Sequence, residues 1–328
     1  MTDTYDVPIL LILYNRPKYI SETIKFLNRI KPKKLYVHID GPLNEIDKNK
    51  IIEIEKKLKK INSETEIVYK KNKTNLGCGL GPVTAMNWFF ELEEYGIIIE
   101  DDLVPTDTFF QYCKTLLFKY RDDKNIFMIS GDNGGPIVPS KLFEKNEIMS
   151  VNIPIIWGWA TWNDRWKKYS YKIDNIKIYE TFKKLNGFYF FERLLIINYF
   201  LKVKKEQLLH FWDIQLFYTL ISNNKKCLIP STNLVKNIGF DEDATHTKEV
   251  TSRAFANTIE KNFTNFEYTS AQKPISSKMI YSLLTRMNGN EIHERNIYYL
   301  RFKYLSGRFK YFFKALKSKA KKIILVNN

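Results

Sequence analysis

The sequence is short of cysteine and histidine, and it lacks any long apolar run. Its three cysteines, Cys78, Cys113 and Cys227, are far apart and form no CxxC pair, which argues against a disulfide framework and a cysteine-based zinc site and favours a reducing compartment. Four histidines are too few for a histidine cluster around zinc. No run reaches ~18 apolar residues, and the early run 7–13 is soon interrupted. We therefore expect neither a signal peptide nor a membrane span.

Acidic residues are scarce relative to basic ones. The chain has 36 Asp and Glu against 52 Lys and Arg, so its net charge is +16. The segment from Arg295 to Asn328 has ten bases and no acid, and its aromatic residues alternate with these bases at roughly helical spacing. A basic balance suits nucleic acid, an anionic membrane surface or a phosphorylated substrate. Because 44% of the residues are hydrophobic, global disorder is excluded.

Apolar runs alternate with helical patterns over the first 130 residues. The continuous runs 7–14 and 96–99 are typical of parallel strands that are covered on both faces. The alternation predicts an α/β fold with a mostly parallel, doubly wound sheet. The glycine-rich segment 77–82 is expected to be a loop that leads into a helix over 83–92. Further along, the patterns predict a strand over 147–151, helices within 176–201 and over 212–222, and a short apolar run at 227–229.

Carboxylates follow directly on two predicted strands. Asp40 ends the second strand, and Glu100, Asp101 and Asp102 end the isoleucine-rich fourth strand. Ligands of open α/β sheets bind outside the carboxyl ends of the strands. Carboxylates at this edge can bind Mg²⁺ or Mn²⁺ while the ion also contacts a substrate diphosphate. The alternative is a solvated turn or a helix cap, but the abrupt change from apolar to acidic residues favours a metal or ligand site.

Two other motifs are open to a structural or a functional interpretation. The sequence GCGLG at 77–81 matches neither GxGxxG nor the Walker pattern, so it is either a tight turn or a close backbone approach to a nucleotide. The sequence WGWATW at 157–162 is either core or the wall of a site, because indoles stack on the apolar faces of sugars. Trp157, Gly158 and Trp159 favour the second interpretation, since tryptophan is rarely buried completely.

Two single residues are candidates for chemistry. In FWD, Asp213 stands beside Trp212 at the start of an apolar helix, where it is either a helix cap or a general base for a hydroxyl nucleophile. His246 lies in a polar segment and is either inert or able to close over a diphosphate or bind the same metal as the acids. His38, flanked by strand residues, is interpreted as structural.

Several of these motifs, in this order, resemble a known family. The chain is similar to bacterial nucleotide-diphospho-sugar transferases of GT-A fold, which are related to animal N-acetylglucosaminyltransferase I. The resemblance covers residues 7–247, and its strongest motif is IEDDL, placed where that family keeps its variant of the DxD metal motif. The motifs that carry it are PILLILYNRP, HIDG, IEDDL, SGDNGG, GWATW, FWD and NIGFDEDATHT.

The resemblance implies a role for each matching residue. Asp102 and His246 are expected to bind Mn²⁺ or Mg²⁺, and Asp213 is expected to deprotonate the acceptor hydroxyl. The expected acceptor or sugar contacts are Trp157, Gly158, Trp159 and Trp212. The expected contacts to the donor nucleotide are Asn15, Arg16, Asp40, Asn75, Gly77, Glu100 and Asp101. The glycine loop does not align with the family's base-contacting histidine, so the base, uracil or another, stays open.

The resemblance also implies an organisation and an activity. Residues 1–250 would form the GT-A domain, with a nucleotide-sugar half at 1–135 and an acceptor half at 136–250, followed by a helical extension at 251–328. The activity would be inverting, metal-dependent transfer of a hexosyl or N-acetylhexosaminyl group, with UDP-sugar as the expected donor. The expected acceptor is a glycan or lipid-linked glycan in bacterial surface polysaccharide or lipooligosaccharide synthesis. We expect a cytoplasmic protein, peripheral at the inner face of the membrane.

The carboxyl-terminal segment and the rival functions complete these expectations. Residues 295–328 are expected either to contact anionic lipid or to pack on the domain with a solvated basic face. A sugar nucleotidyltransferase shares the sheet and the acids but should carry a glycine- and lysine-rich loop after the first strand, where this chain has Tyr14-Asn15-Arg16-Pro17. A nucleic-acid-binding protein should carry a basic stripe across the fold. Here the acidic strand ends argue against nucleic acid as a partner.

Overall fold

The structure, a computed structural model, describes residues 4–133, 147–239 and 263–270. His246 and the basic segment 295–328 lie outside these residues, so their roles stay predictions. The strands are β1 Ile9–Leu13, β2 Lys34–Ile39, β3 Glu66–Lys71, β4 Tyr95–Glu100, β5 Leu103–Pro105, β6 Ile126–Ser130, β7 Ile148–Val151, β8 Trp159–Trp162, β9 Lys226–Pro230, β10 Val235–Asn237 and β11 Tyr268–Ser270. The helices are α1 Ile20–Ile30, α2 Glu45–Leu58, α3 Gly77–Leu92, α4 Asp107–Lys119, α5 Asn163–Trp166, α6 Ile178–Lys184, α7 Phe190–Glu206 and α8 Asp213–Ser222.

In the described part of the chain, nine strands form one central sheet in the order β11-β7-β9-β6-β8-β4-β1-β2-β3. The pairs β1–β2, β1–β4, β2–β3, β6–β9 and β7–β11 are parallel. Every residue of β1 and β6 is buried, as expected for strands covered on both faces. The predicted α/β class with a mostly parallel sheet is confirmed.

One strand of the central sheet was not expected from the sequence. Strand β8, with the sequence WATW, runs antiparallel between β4 and β6. Its four residues are all buried and are too few to give a recognisable pattern in the sequence. A second, two-stranded sheet pairs β5 with β10 in antiparallel orientation. This small sheet brings residues near 235 back to the acidic end of β4.

Helix α3 begins six residues earlier than the sequence pattern indicates. The glycine-rich segment from Gly77 to Pro82, expected to be a loop, forms the first turns of the helix. No side chain of the helix's own N-cap, Leu76, closes this end. The carboxylate of Asp40, at the end of β2, accepts the N–H groups of Leu76 and Gly77 instead. An acid at a helix N-terminus also interacts favourably with the helix dipole, which offsets the low helix propensity of glycine.

The chain divides into two compact units, which are described separately. The first comprises residues up to Tyr171 and again from His210 to Ser270, and it holds both sheets. The described part of the second, Lys172–Leu209, holds α6 and α7. The predicted boundary at residue 250 falls outside the described residues, so it stays a prediction. Residues 263–270, which the sequence assigned to a helical extension, belong instead to the first unit and include β11 of the central sheet. Within those residues, no helix combines the length and apolar character that crossing a membrane requires.

Candidate functional site

The site is built at one edge of the central sheet. Strands β2, β1 and β4 are adjacent and parallel, with Leu13 opposite Ile39 and Ile12 opposite Glu100. Their carboxyl ends therefore lie side by side. The residues that follow β1, β2 and β4 in the chain are those that the sequence singled out, so the topology brings the separate motifs to a single edge.

The acids at the end of β4 are held close to one arginine. Arg16, which follows β1, places Nη1 at 3.2 Å from Asp101 Oδ1 and at 2.8 Å from Asp102 Oδ2. These three side chains are each less than a fifth exposed. Charge-assisted hydrogen bonds of this kind are stronger than neutral ones. Arg16 thus links the ends of β1 and β4 and neutralises part of the acidic charge.

One guanidinium does not balance three neighbouring carboxylates. Burial raises the pKa of Glu100 to about 8, and the charges of Asp102 and Asp101 add to the rise. Burial and the charge of Asp102 likewise raise the pKa of Asp101 to about 7. Desolvation and like charges both disfavour the ionised form. Among the described residues, this edge of the sheet is consequently short of positive charge, and a bound cation would stabilise its ionised state.

The residues present fit a cation that is shared with a substrate. Within the described ranges, no three carboxylate, imidazole or thiol groups converge closely enough to hold a metal ion by themselves. Mg²⁺ and related ions commonly bind one or two carboxylates together with substrate phosphates and waters. Asp102, with Asp101 beside it, provides this smaller set of oxygen ligands. The arrangement suits a metal ion that the protein and a substrate diphosphate coordinate together, rather than an ion that protein side chains coordinate completely.

The backbone after β10 lies directly against Asp102. The N–H of Ile238 donates to the Asp102 carbonyl oxygen at 2.8 Å. A Cβ atom on Gly239 would lie 2.3 Å from Asp102 Oδ2, so a larger residue there requires the carboxylate to shift. Position 239 thus requires glycine, because the backbone there lies very close to the Asp102 carboxylate. His246, the second predicted metal ligand, is seven residues further along the chain and outside the described residues.

Asp40 connects the end of β2 to the start of α3. Its carboxylate accepts hydrogen bonds from the backbone N–H groups of Gly41, Leu76 and Gly77 and from Asn72 Nδ2, at 2.9–3.1 Å. These protein donors occupy most of the lone pairs of the carboxylate. The contact of Asp40 with a donor nucleotide stays a prediction. The observed bonds show that Asp40 holds the backbone of this part of the site in place.

The other predicted nucleotide contacts also take part in this framework. Asn75 Nδ2 donates to the Gly41 carbonyl at 3.0 Å, and Gly77 has φ of +75°, a conformation that favours glycine. Asn15 Nδ2 donates to Asp47 Oδ1 at 2.7 Å. The structure therefore brings Asn15, Asn75 and Gly77 to the same edge as the acids.

Asp47 is a residue of the site that sequence reasoning missed. Besides Asn15, it accepts the hydroxyl of Tyr14 at 2.7 Å and the N–H of Leu43 at 3.2 Å. It is buried although it lies in the first turn of α2. A signal was available, because Asn44 and Asp47 are spaced as helix cap and third helical residue, and the Asn44 side chain accepts the N–H of Asp47.

Asp213 is brought near the acids from a distant part of the sequence. It is the first residue of α8, and Trp212 rather than Asp213 is the helix cap. Its charge contributes to the raised pKa of Glu100, after burial and the other two acids. Its charge also acts on Cys78. Asp213 thus lies within electrostatic reach of the acidic end of β4 and is partly exposed as a residue, as a candidate base requires.

Tryptophans pack behind Asp213. Trp212 stacks on Trp159 with ring centroids 6.0 Å apart and an angle of 22°, and both are at most 5% exposed. The Tyr169 hydroxyl donates to the Trp212 carbonyl at 3.1 Å. These contacts fix the start of α8 and leave little indole surface for a sugar.

The remaining residues of the WGWATW motif differ in exposure. Trp157 is only half-buried, so it is the best placed of the three tryptophans predicted to contact a sugar. Gly158 has φ of +63°, and its missing side chain leaves room for Val235 of β10. Gly158 therefore permits the close packing of β10 beneath the site. The predicted roles of both residues in acceptor binding stay predictions.

Cys78, in the first turn of α3, also belongs to this edge and was not expected there. Its Sγ donates to the carbonyl of His210 at 3.2 Å. Burial raises the pKa of its thiol, and the charges of Asp213 and Glu100 contribute. Cys78 of α3 thus contacts the segment before α8 and lies within electrostatic range of Glu100 and Asp213. Nothing in the sequence pattern distinguishes it, because the contact joins residues more than 130 positions apart.

Comparisons with known proteins add little to this geometry. No protein-family model and no curated protein matches the chain. A structure of UDP-glucose pyrophosphorylase complexed with UDP-glucose aligns with a TM-score of 0.35 and 7% identity, over 68% of this chain and 90% of that chain.

Two structures of glucosyl-3-phosphoglycerate synthase from Mycobacterium tuberculosis also align. One is in complex with Mn²⁺, UDP and phosphoglyceric acid, and the other with Mn²⁺, UDP-glucose and phosphoglyceric acid. Their TM-scores are 0.27 and 0.26, at 14% identity over 48% of this chain. This chain spans 56% and 57% of those two chains. These likenesses are too weak to assign a function to this chain.

Proposed function

We propose that this protein is a metal-dependent, inverting glycosyltransferase of GT-A fold. It would move a hexosyl or N-acetylhexosaminyl group from a nucleotide-diphosphate donor, UDP-sugar first among them, to a glycan or lipid-linked glycan acceptor. The observation that carries the proposal is the convergence of Glu100, Asp101 and Asp102 with Arg16 and Asp213 at one edge of the sheet. The sequence motifs that resemble the GT-A transferases supply these same residues.

The acids and Arg16 provide the donor side of the reaction. A divalent cation bound through Asp102, with His246 as a further candidate ligand, would supply positive charge beside the leaving diphosphate. Glu100 and Asp101 would face the ribose and the sugar. Arg16 orients the two aspartates through the hydrogen bonds described above. In this arrangement the protein contributes position and charge.

Asp213 provides the acceptor side. Its carboxylate would accept the proton of the acceptor hydroxyl while that oxygen forms a bond to the anomeric carbon. The bond from the anomeric carbon to the diphosphate oxygen breaks on the opposite face, and its electron pair leaves with the nucleotide diphosphate. One base and a stabilised leaving group suffice, so no carboxylate nucleophile is needed. The product would have inverted anomeric configuration.

A panel of nucleotide sugars tests this function. Each would be screened, with and without Mn²⁺, for thermal stabilisation of the protein and for slow hydrolysis that releases nucleoside diphosphate. We expect one or a few donors to stabilise the protein only when the cation is present. Release of nucleoside triphosphate on addition of pyrophosphate would instead establish a sugar nucleotidyltransferase. A product of retained configuration would contradict the inverting mechanism.

Chemical labelling of Cys78 gives an independent check on where the site lies. Cys113 and Cys227 are completely buried, whereas Cys78 is exposed, so we expect N-ethylmaleimide to add one label per folded chain. The reaction should be slow because partial desolvation of the thiol, together with the charges of Asp213 and Glu100, raises its pKa. The bulky adduct between α3 and Asp213 should lower transfer about tenfold or more, and bound donor should slow the labelling. Mass spectrometry and initial rates measure both effects.

Cys78→Ala is the matched control for the labelling experiment. The variant loses one weak thiol hydrogen bond, so we expect it to retain most of its activity and to resist the reagent. If the labelled wild-type protein keeps full transfer activity, the catalytic site does not lie beside Cys78. If bound donor does not slow the labelling, Cys78 lies outside the donor subsite.

A further inference from the structure

The second compact unit exposes aromatic side chains on its two helices. Tyr179 of α6 is 67% exposed, and Tyr189 and Phe190, at the start of α7, are 53% and 60% exposed. Deeper along α7, the residues from Leu195 to Phe200 are buried. The two helices thus contribute apolar residues to the interior and also keep large rings in contact with water, an arrangement that marks an interaction surface when the rings are contiguous.

Ring contacts and helical spacing join these side chains, because Tyr179 and Phe182 are three residues apart on α6 and therefore share a face of the helix. The rings of Phe182 and Phe190 meet edge to face with centroids 5.5 Å apart, which brings the end of α6 beside the start of α7. Lys183 Nζ lies 4.4 Å from the ring centroid of Tyr179, and the Arg193 guanidinium lies 5.3 Å from that of Phe182. We call these five residues the aromatic–basic face.

The described part of this unit has a net positive charge, and the two basic side chains of the aromatic–basic face, Lys183 and Arg193, contribute to it. From Lys172 to Leu209 there are eight Lys and Arg against four Asp and Glu. Arg193 donates to the backbone carbonyls of Phe188 and Asn186, which leaves its charge without neutralisation by those bonds. The neighbouring acid Glu192 is buried and accepts the N–H of Tyr189, so it is directed into the unit.

We propose that the aromatic–basic face docks on an anionic lipid surface. Aromatic rings are favoured at the level of the lipid headgroups, and lysine and arginine beside them attract anionic headgroups. Stacking on nucleic-acid bases fits less well, because Lys183 and Arg193 already cover faces of Tyr179 and Phe182 and base stacking needs a free ring face. Insertion into the membrane–water interface, by contrast, needs only exposed apolar surface on the rings.

Vesicle flotation of the full chain tests the proposal. Binding would be measured on phosphatidylcholine vesicles and on vesicles with 30% phosphatidylglycerol, a chosen composition that makes the surface anionic. We expect binding to the anionic vesicles, and the double variant Tyr179→Ser/Phe190→Ser should weaken it about tenfold or more. The matched control is Ile52→Ser/Leu92→Ser, which removes two apolar side chains of similar exposure, 52% and 54%, from the other compact unit. This control should bind as the wild type does.

A second variant and a second measurement keep the test decisive. Phe190→Trp should gain fluorescence quenching by brominated lipid relative to wild type, and this holds even where the double variant folds poorly. Every variant retains the basic segment 295–328, so differences between variants report on the face alone. The inactive variant Asp213→Asn should bind vesicles normally, which separates this proposal from the proposed function.

Three results would overturn the lipid proposal. The first is equal vesicle binding by the double variant and the wild type. The second is a dimer in sedimentation that the double variant abolishes while vesicle binding is absent, which would make a second copy of the chain the occupant. The third is salt-sensitive binding of single-stranded oligonucleotide that the same variant abolishes without any effect of lipid.

Discussion

Asp102→Asn is expected to lower Mn²⁺-dependent sugar transfer about 100- to 1,000-fold, the order lost when one group that stabilises developing charge is removed. The amide has nearly the same shape as the carboxylate but lacks its charge, so it binds a hard cation poorly. Glu100 is not expected to replace it, because desolvation raises its pKa to about 8. Initial rates over a series of Mn²⁺ concentrations measure the effect.

The control for this variant is Asp122→Asn. Asp122 is exposed in the turn between α4 and β6, so its amide should leave rates and metal dependence unchanged. Gly239→Ala probes the same carboxylate without altering any charge, because the added Cβ would lie 2.3 Å from Asp102 Oδ2. It should raise the Mn²⁺ concentration needed for activity. Wild-type Mn²⁺ dependence in Asp102→Asn would show that this acid does not bind the metal.

Asp213→Asn is expected to lower the transfer rate about 100- to 10,000-fold, the range associated with loss of a general base. The amide cannot accept the proton of the acceptor hydroxyl. Donor binding should be unchanged, because Asp213 follows Trp212 on α8 and is not part of the framework around Asp40. The measurement is kcat for transfer together with the Kd of the donor, taken from thermal shift or calorimetry.

A lower kcat with an unchanged donor Kd distinguishes a general base from a structural residue. A merely structural Asp213 would change the melting temperature or donor affinity along with the rate. Transfer at the wild-type rate by this variant, with Asp122→Asn as reference, would show that the proton goes to another group.

The acidic end of β4 could be predicted from the sequence because one short stretch contains the whole signal. Ile97, Ile98 and Ile99 are continuous and apolar, and the change to acids at Glu100 marks the end of a strand buried on both faces. The strand order, which puts this end beside that of β1, comes only from the structure. The structure confirmed the sheet and brought the predicted acids to one edge.

The start of α3 shows where local pattern fails. Glycines at 77, 79 and 81 indicate a loop by propensity, yet these residues are helical. The stabilising group is the carboxylate of Asp40, which is more than 35 positions away in the sequence and accepts two of the N–H groups at the helix start. A tertiary hydrogen bond thus outweighs a local preference. The short strand β8 was missed because its four residues, WATW, are too few to give a recognisable pattern.

The sequence by itself determined the elements with strong periodicity, the location of the acids, and the motifs that resemble a glycosyltransferase. Only the tertiary structure decided that Arg16 pairs with Asp101 and Asp102, that Trp159 and Trp212 pack against each other, and that Cys78 meets the site. The physical reason is the separation along the chain of the residues that interact. Burial and helical or strand periodicity are properties of neighbours in the chain. Ion pairs, ring stacking and shifts in pKa depend on distances in space between residues that the sequence keeps apart.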